Sequence, residues 1–365
     1  MCTLRQTSQL LGFPLLLAAC QEPLRPAETA PAFAVFADAR QPLVVMTRNL
    51  YIGVDLGRIA GPFNLVPFQV ADAFARVQES NFTERAQTIA DEIAKVQPHL
   101  LGLQEVALFR IQTPGDAIVG GTTPAMSVHA DYLEILLQAL AQRGLSYYVA
   151  AVTQDFDIEA PMVTSPAPTF SDVRLTDREV ILARSDVQVS NPQERNYTAA
   201  SLFLGAIPLT RGWASVDATV GGRTFRFVST HLQPDDLPGA GSVQVAQAAE
   251  LLAEQANALV PIVLAGDFNS AANGSTTSTY GMITAAGFHD AWFASRKGAP
   301  GYTCCHSEDL KNRASQLDTR IDLIFFSGTT SALGAALTGH VPAARTSSGL
   351  WPSDHAGVYA GVRLE

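Results

Sequence analysis

The chain has 365 residues, of which 47% are hydrophobic and 16% charged. That is enough apolar material for a large core and too little charge for a disordered polymer. A formal net charge of −10 argues against a broad basic surface that grips nucleic acid non-specifically. A divalent cation can still supply local positive charge where a phosphate is handled.

The N-terminus carries Arg5 and then an apolar segment from Leu10 to Ala19. About ten apolar residues are too few to span a bilayer as a helix and suit the core of a signal peptide. The segment ends Leu17-Ala18-Ala19-Cys20, which resembles a bacterial lipobox. Residues 1–20 are therefore expected to be a lipoprotein-type signal peptide, with lipidation at Cys20 anchoring an exported protein at the cell envelope. An ordinary signal peptide with a chance cysteine is the alternative. Residues 21–40, rich in Ala, Pro and Glu, read as a flexible linker. One catalytic domain is expected over 41–365.

From Leu43, the run LVVMTRN predicts a strand ending on Asn49, and Tyr51 to Leu56 (YIGVDL) leaves it as part of a site wall. Residues 60–80 place Phe63, Phe68, Phe74 and Val77 at partly helical spacing and read as a cover over one side of a cleft. Asn81 and Glu84 have the spacing of a capping box for a helix over 84–97, with Ile89, Ile93 and Val96 on one face. The strand LLGLQE then delivers Glu105. Residues 110–128 and 158–176, rich in Gly, Pro, Thr and Ser, read as loops. Between them lie a helix over 131–143, with Leu133, Leu137 and Leu140 on one face, and a strand over 147–153. A strand over 179–185 follows Arg178, and FRFVSTH delivers His231. A helix over 242–259 spaces Val245, Ala249, Leu252, Ala256 and Leu259 at the helical period. It feeds VLAGDFN; IDLIFF is a further strand carrying Asp322, and Ser353-Asp354-His355 opens the final strand. Strands alternating with helices give an α/β class.

Six of these stretches join an apolar run to polar residues at one of its ends: Asn49, Glu105, His231, Asp267 with Asn269, Asp322, and Asp354 with His355. Such endings place chemistry at a sheet edge while the core stays dry. Asp267 and Asn269 lie two apart, so a persisting strand sends both side chains to one face. Asp267 follows an apolar strand with no basic neighbour in sequence, a setting that raises a carboxylate towards a useful base.

This ordered set resembles the endonuclease/exonuclease/phosphatase family, which includes deoxyribonuclease I, abasic-site endonucleases, neutral sphingomyelinases and inositol-polyphosphate 5-phosphatases. The resemblance runs from about residue 43 to the C-terminus and rests on six stations in order, GDFN among them. It implies a four-layer α/β/β/α sandwich of two mixed β-sheets flanked by helices, with the site at one end. It further implies Mg²⁺, with Mn²⁺ as the alternative ion, held by Asn49, Glu105 and Asp354. Asp267 would orient or deprotonate the attacking water, and Asn269 would donate to the phosphate or reach the metal. His355, oriented by Asp322, would be an acid/base or phosphate-stabilising group. His231 would be a second phosphate donor, and Arg178 matches a phosphate-contacting arginine loosely.

Tyr147 and Tyr148 are candidates, by order alone, for the tyrosine that abasic endonucleases place near the phosphate. Cys304 and Cys305 adjoin in GYTCCH and read as free thiols or a vicinal bond without a catalytic role. Neighbouring His306 invites zinc, but no CxxC partner pair exists and that reading is rejected. The leading expectation is a monomeric phosphoesterase acting on nucleic acid, phospholipid head groups or phosphorylated small molecules. The alternative is an inactive binding lipoprotein that retains the fold.

Overall fold

The computed structural model describes residues 42–59, 66–165, 169–203, 207–235, 239–328 and 330–364. The expected signal peptide, Cys20 and the linker lie outside them. In chain order the described elements begin with β1 (Leu43–Asn49), α1 (Val66–Glu79), α2 (Phe82–Val96), β2 (Leu100–Gln104), β3 (Leu108–Gln112), β4 (Ser127–Asp131) and α3 (Tyr132–Ala141). The middle of the chain forms β5 (Tyr147–Thr164), β6 (Thr169–Arg184), β7 (Gln188–Asn196), β8 (Ser201–Phe203), β9 (Ile207–Leu209), β10 (Gly212–Val220) and β11 (Arg223–His231). The last part supplies α4 (Ala240–Gln255), β12 (Ile262–Asp267), α5 (Thr279–Ala285), β13 (His289–Asp290), α6 (Ala291–Ser295), β14 (Asp322–Phe326), β15 (Thr330–Thr338) and β16 (Gly357–Leu364).

These strands build two large mixed sheets. One runs β15-β16-β1-β2-β6-β3-β4, with β5 also on β6, and the other runs β13-β14-β12-β11-β10-β7. Each has one parallel pair, β1 with β2 and β11 with β12, among antiparallel neighbours. Val45, Leu100 and Ile181 of the first sheet share a buried cluster with Phe227, Val263 and Ile324 of the second. On the outer face of the first sheet, Leu101 and Leu103 pack with Phe74, Ile89 and Leu136 from α1, α2 and α3. On the outer face of the second, Val228, Leu264 and Phe325 pack with Leu251 of α4 and Ile283 of α5. The result is the expected four-layer sandwich. Among the described residues no helix is long and apolar enough to cross a membrane.

Several element boundaries depart from the sequence reading. The segment 158–176 read as a loop is instead part of one long hairpin, in which β5 pairs β6 from Tyr147–Arg184 to Thr164–Thr169; in 110–128 the ends belong to β3 and β4 and residues 113–126 stay outside the strands. Thr and Ser suit strands as well as turns, and the hairpin is tied by side chains. Asp157 accepts from Arg174, from Arg110 at 3.2 Å and from Thr176 at 3.0 Å. The segment read as a cover is α1, which packs against β5 in the outer helical layer. Phe68 on it is 59% exposed, and Phe63 lies outside the described residues. In α2, the Asn81 side chain accepts from the Glu84 backbone at 3.4 Å, as a cap should.

The face of α4 differs most. Its buried residues are Ala240, Gln244, Gln247, Ala248, Leu251 and Gln255, and Leu259 is fully exposed beyond the helix end. The expected apolar stripe is displaced because glutamines take the inward positions. Gln244 donates to the carbonyls of Gln233 and Asn269, both at 2.8 Å, and Gln247 accepts from Gln233 N at 2.8 Å. The helix thus fastens the loops that follow β11 and β12.

Candidate active site

The space between the sheets changes character along the strands. On β11 the inward residues run Phe225, Phe227, Ser229, His231; on β12 Val263, Ala265, Asp267; and on β14, read backwards, Phe326, Ile324, Asp322. Register aligns the ends. His231 pairs with Asp267 in the β11–β12 ladder and Asp267 with Asp322 in the β12–β14 ladder. One row of three polar residues therefore crosses three neighbouring strands. The first sheet answers with Thr47 and Gln104 at 3.0 Å, and Gln104 donates to Ser229 at 3.1 Å, joining the sheets. Gly102 permits this close approach, since a Cβ there would lie 2.6 Å from Ser229 Oγ. Gly266 is required for similar reasons: its φ is +155° and a Cβ would fall 2.0 Å from Thr230 O.

Two stations hold left-handed backbone, Glu105 at φ 56° and Asn269 at φ 49°. Strained residues of this kind persist only where the surroundings over-determine them, and they concentrate at functional sites. β12 therefore stops at Asp267, so Asn269 does not share its strand face as expected. Its backbone N–H donates to Asp267 Oδ1 at 2.9 Å, and its amide donates to Leu232 O at 2.9 Å. Glu105, turned at the end of β2, accepts from Asn49 Nδ2 at 3.0 Å and from Ile52 N at 2.7 Å. Asn49 also donates to Asp267 Oδ2 at 3.2 Å. One amide thus links the two sheets at the reaction end.

His355, in the loop before β16, sits between the carboxylates of the row. Its Nδ1 is 2.8 Å from Asp322 Oδ2 and 3.8 Å from Asp267 Oδ2. Burial opposes a charged ring here, but Asp322, Asp354 and Asp267 together outweigh it and hold the imidazole well above its ordinary range. Asp267 is pushed up to about 7, by burial first and then by Asp322, against the pull of His355. Burial also lifts Asp354 to about 6, with His355 pulling it down and Glu105 pushing it up. His231 has the opposite fate. Burial, then Arg211 and His355, keep it well below its ordinary range. Arg211 lies 3.0 Å from its Nδ1, and a guanidinium only donates. The neutral ring then carries its proton on Nε2, which lies 3.5 Å from Asp267 Oδ2.

Sequence reasoning missed the groups that support these stations. Asp155, Asp177 and Glu179 are buried around Arg211, which reaches Asp177 at 3.2 Å and Asp155 at 3.8 Å. Burial first, and then mutual repulsion, hold Asp155 and Glu179 well above the carboxylate range. Alternation in TQDFD and TDREV was the available signal. Arg85, fully buried on α2, donates to the carbonyls of Ser80, Leu50, Tyr51 and Pro352 at 2.7–3.0 Å. It clamps the loop after Asn49 to the loop before Asp354. Arg48 pairs with Glu92 at 3.2 Å and donates to the carbonyl of His355.

Other expected residues are placed differently. Arg178 lies within β6, and its guanidinium is committed to Asp131 at 2.5 Å and Val106 O at 2.9 Å. It braces the turn after Glu105 instead of reaching out for a phosphate. Tyr147 and Tyr148 open β5 and donate to Pro98 O and Val187 O; Pro98 precedes β2 whereas Glu105 follows its far end, so neither supplies the tyrosine sought. His306 stacks on Trp351 with centroids 3.9 Å apart, and its Nδ1 lies 3.1 Å from the Asn312 amide.

Residues 74–355 match the model of the Endonuclease/Exonuclease/phosphatase family. The chain belongs to that family. Its members are hydrolases of phosphoester bonds, and family membership makes this chain a phosphoesterase-type protein. Among solved structures, a family member from Beutenbergia cavernae aligns with a TM-score of 0.57 at 20% identity, covering 89% of this chain and 72% of that one. A Bacteroides thetaiotaomicron mannosyl-6-phosphatase aligns with a TM-score of 0.53 at 15% identity, covering 88% and 100%. Truncated TDP2 of Caenorhabditis elegans aligns at 0.50 and 16% identity, covering 88% and 98%. At these identities the likeness concerns the fold. No curated protein matches the sequence.

The residues fit the divalent metal that the family uses. Glu105 and Asp354 are hard oxygen donors, and they are near enough for Glu105 to raise Asp354. Their hydrogen-bond partners are an amide, a backbone N–H and a hydroxyl, none of them a cation. Arg85 spends its donors on backbone carbonyls. Excess negative charge at the mouth is a place for a cation.

Proposed function

We propose that this family member hydrolyses phosphodiester or phosphomonoester bonds with Mg²⁺, or Mn²⁺ in its place, held by Glu105, Asp354 and Asn49. The observation that carries the proposal is the His355 ring set between Asp322 and Asp267, beside the Asn49 amide that links Asp267 to Glu105. A divalent ion supplies charge neutralisation at the phosphate and polarises the P–O bond.

The chain's own groups divide the remaining work. Asp267, lifted to about 7, is matched to take a proton from the attacking water near neutral pH. Cationic His355 presents Nε2–H, with Nδ1 held by Asp322, to the leaving oxygen. His231, neutral and protonated on Nε2, donates to a phosphate oxygen without adding charge. Asn269 holds Asp267 through its backbone N–H and has a second amide hydrogen for the phosphate. Arg178 and Arg85 position the loops.

The reading places the enzyme at the cell envelope, anchored through lipid on Cys20 and working as a monomer. The mass of the mature N-terminus checks the anchor. For activity, purified protein with Mg²⁺ is assayed against plasmid DNA, RNA, sphingomyelin, inositol phosphates and mannose 6-phosphate, the last suggested by the phosphatase neighbour. Chelator-sensitive phosphate-ester cleavage of at least one is expected. No cleavage of any substrate class would leave the inactive binding protein as the reading.

A further inference from the structure

The hydrolytic reading makes no use of Cys304 and Cys305, yet the fold holds them against its acid. Cys305 Sγ lies 3.8 Å from His355 Nε2, the ring nitrogen that Asp322 does not hold. The two sulfurs and a ring nitrogen of His355 all lie within 4.8 Å of one another. The placement is built by backbone bonds on both sides. Ala356 N donates to Thr303 O and His306 N to Asp354 O, each at 2.8 Å. Thr303 Oγ1 accepts from the N–H groups of Ile321 and Asp322 at 3.1 Å. The segment carrying the cysteines is therefore tied to both the Asp322 strand and the Asp354–His355 loop. Cys304 is partly exposed and Cys305 exposed, so solutes reach them.

In the structure the cysteines are joined to each other. We propose that, once reduced, Cys304 Sγ, Cys305 Sγ and His355 Nε2 bind a thiophilic divalent ion of the Zn²⁺ class, and that the bound ion shuts the catalytic centre. Reduction by a dithiol transfers two electrons and two protons: the S–S bond breaks, two thiols form, and the reductant leaves as its own disulfide. Ion capture then releases the two thiol protons and the proton on His355 Nε2, because thiolate and an unprotonated ring nitrogen are the ligands. Thiolate and imidazole suit Zn²⁺ at about 2.0–2.3 Å, whereas Mg²⁺ prefers oxygen. The two ions are thereby sorted to neighbouring but different donors. With Nε2 taken, His355 has no proton to give a leaving group. This closing step rests on the hydrolase reading; the binding itself does not.

Full-length protein is reduced with dithiothreitol, freed of reductant under anaerobic conditions and titrated with Co²⁺ as a spectroscopic stand-in for Zn²⁺. A thiolate-to-cobalt charge-transfer band should grow to one equivalent, and it should be absent from the oxidised protein and from the Cys304→Ser, Cys305→Ser double variant. In His355→Gln the affinity should fall by about 10-fold or more, since even an outer partner of a metal ligand counts on that scale. In the Mg²⁺ assay, stoichiometric Zn²⁺ should inhibit the reduced wild type and spare the double serine variant, which keeps its basal turnover. Cobalt bound without the band, or a band unmoved in His355→Gln, overturns the site. Equal zinc inhibition of the serine variant overturns the closure. Protein inactive in every form defeats the hydrolase reading and leaves the cobalt result standing.

Discussion

Asp267 and Asp322 lie directly opposite each other in the β12–β14 ladder. Two like charges in that relation repel, and the His355 ring offsets the repulsion by lying 2.8 Å from one and 3.8 Å from the other. The pairing sets both ends of the expected pH profile. Rate should rise as Asp267 loses its proton near pH 7 and fall as His355 loses its own.

Asp322→Asn removes a charge that raises both groups. Both limbs of the pH–rate profile should therefore move to lower pH. Sequence reasoning alone would move only the alkaline limb, because it does not see that the two aspartates are opposed. Turnover should drop by about 10²–10⁴-fold, the range of acid–base assistance. Limbs that stay in place would mean that Asp322 acts on neither.

Above the acidic limb, where Asp267 is ionised and Asp322 assists turnover through His355, the losses should not add. The double variant Asp322→Asn, His355→Ala should turn over little more slowly than His355→Ala alone. Steady-state kinetics on the four proteins measure the coupling, and independent, multiplying losses would separate the pair.

The stations were legible because each apolar strand has its polar residue at one end, as in Val263, Ala265, Asp267. What periodicity could not reveal was where chemistry replaces apolar packing. Gln244 and Gln247 sit inward on α4 to bond loop backbone, so the buried face reads as polar. Asp155, Asp177 and Glu179 lie in a hairpin whose Thr, Ser and Pro content suggests loops. Arg85 looks like an ordinary helix-surface arginine until the carbonyls that it serves are folded around it. The turn at Asn269 also depends on φ, which VLAGDFN does not announce.

Arg85→Met should destabilise the fold and disturb the site together. It leaves the carbonyls of Ser80, Leu50, Tyr51 and Pro352 without their donors, and each unpaired buried group costs about 1–3 kcal/mol. Urea unfolding should report a loss of at least ~3 kcal/mol, and Mg²⁺ affinity should weaken as the two loops part. Unchanged stability would show that water replaces the guanidinium at no cost.

Far from the site, His99 Nδ1 accepts from Val44 N at 3.0 Å. Burial first, then Arg184, hold its pKa at about 4 against an ordinary 6.5. The unfolded chain takes up this proton first, so its contribution to stability is full above pH 6.5, is lost between about 6.5 and 4, and is flat below. The loss is on the order of 3 kcal/mol. His99→Gln keeps an acceptor for Val44, and unfolding measured across that window should show a shallower slope. An unchanged slope would assign the acid sensitivity elsewhere.

If Glu105 and Asp354 hold the ion on which hydrolysis depends, Mg²⁺ calorimetry on wild type and Glu105→Gln, paired with turnover on the same samples, will show it. Gln keeps one acceptor oxygen and loses the charge and the second acceptor, and because residue 105 is partly exposed at a strand end, circular dichroism should be unchanged. Weakened Mg²⁺ binding and loss of most metal-dependent turnover are expected. Wild-type Mg²⁺ affinity and wild-type turnover in the folded variant would contradict that role.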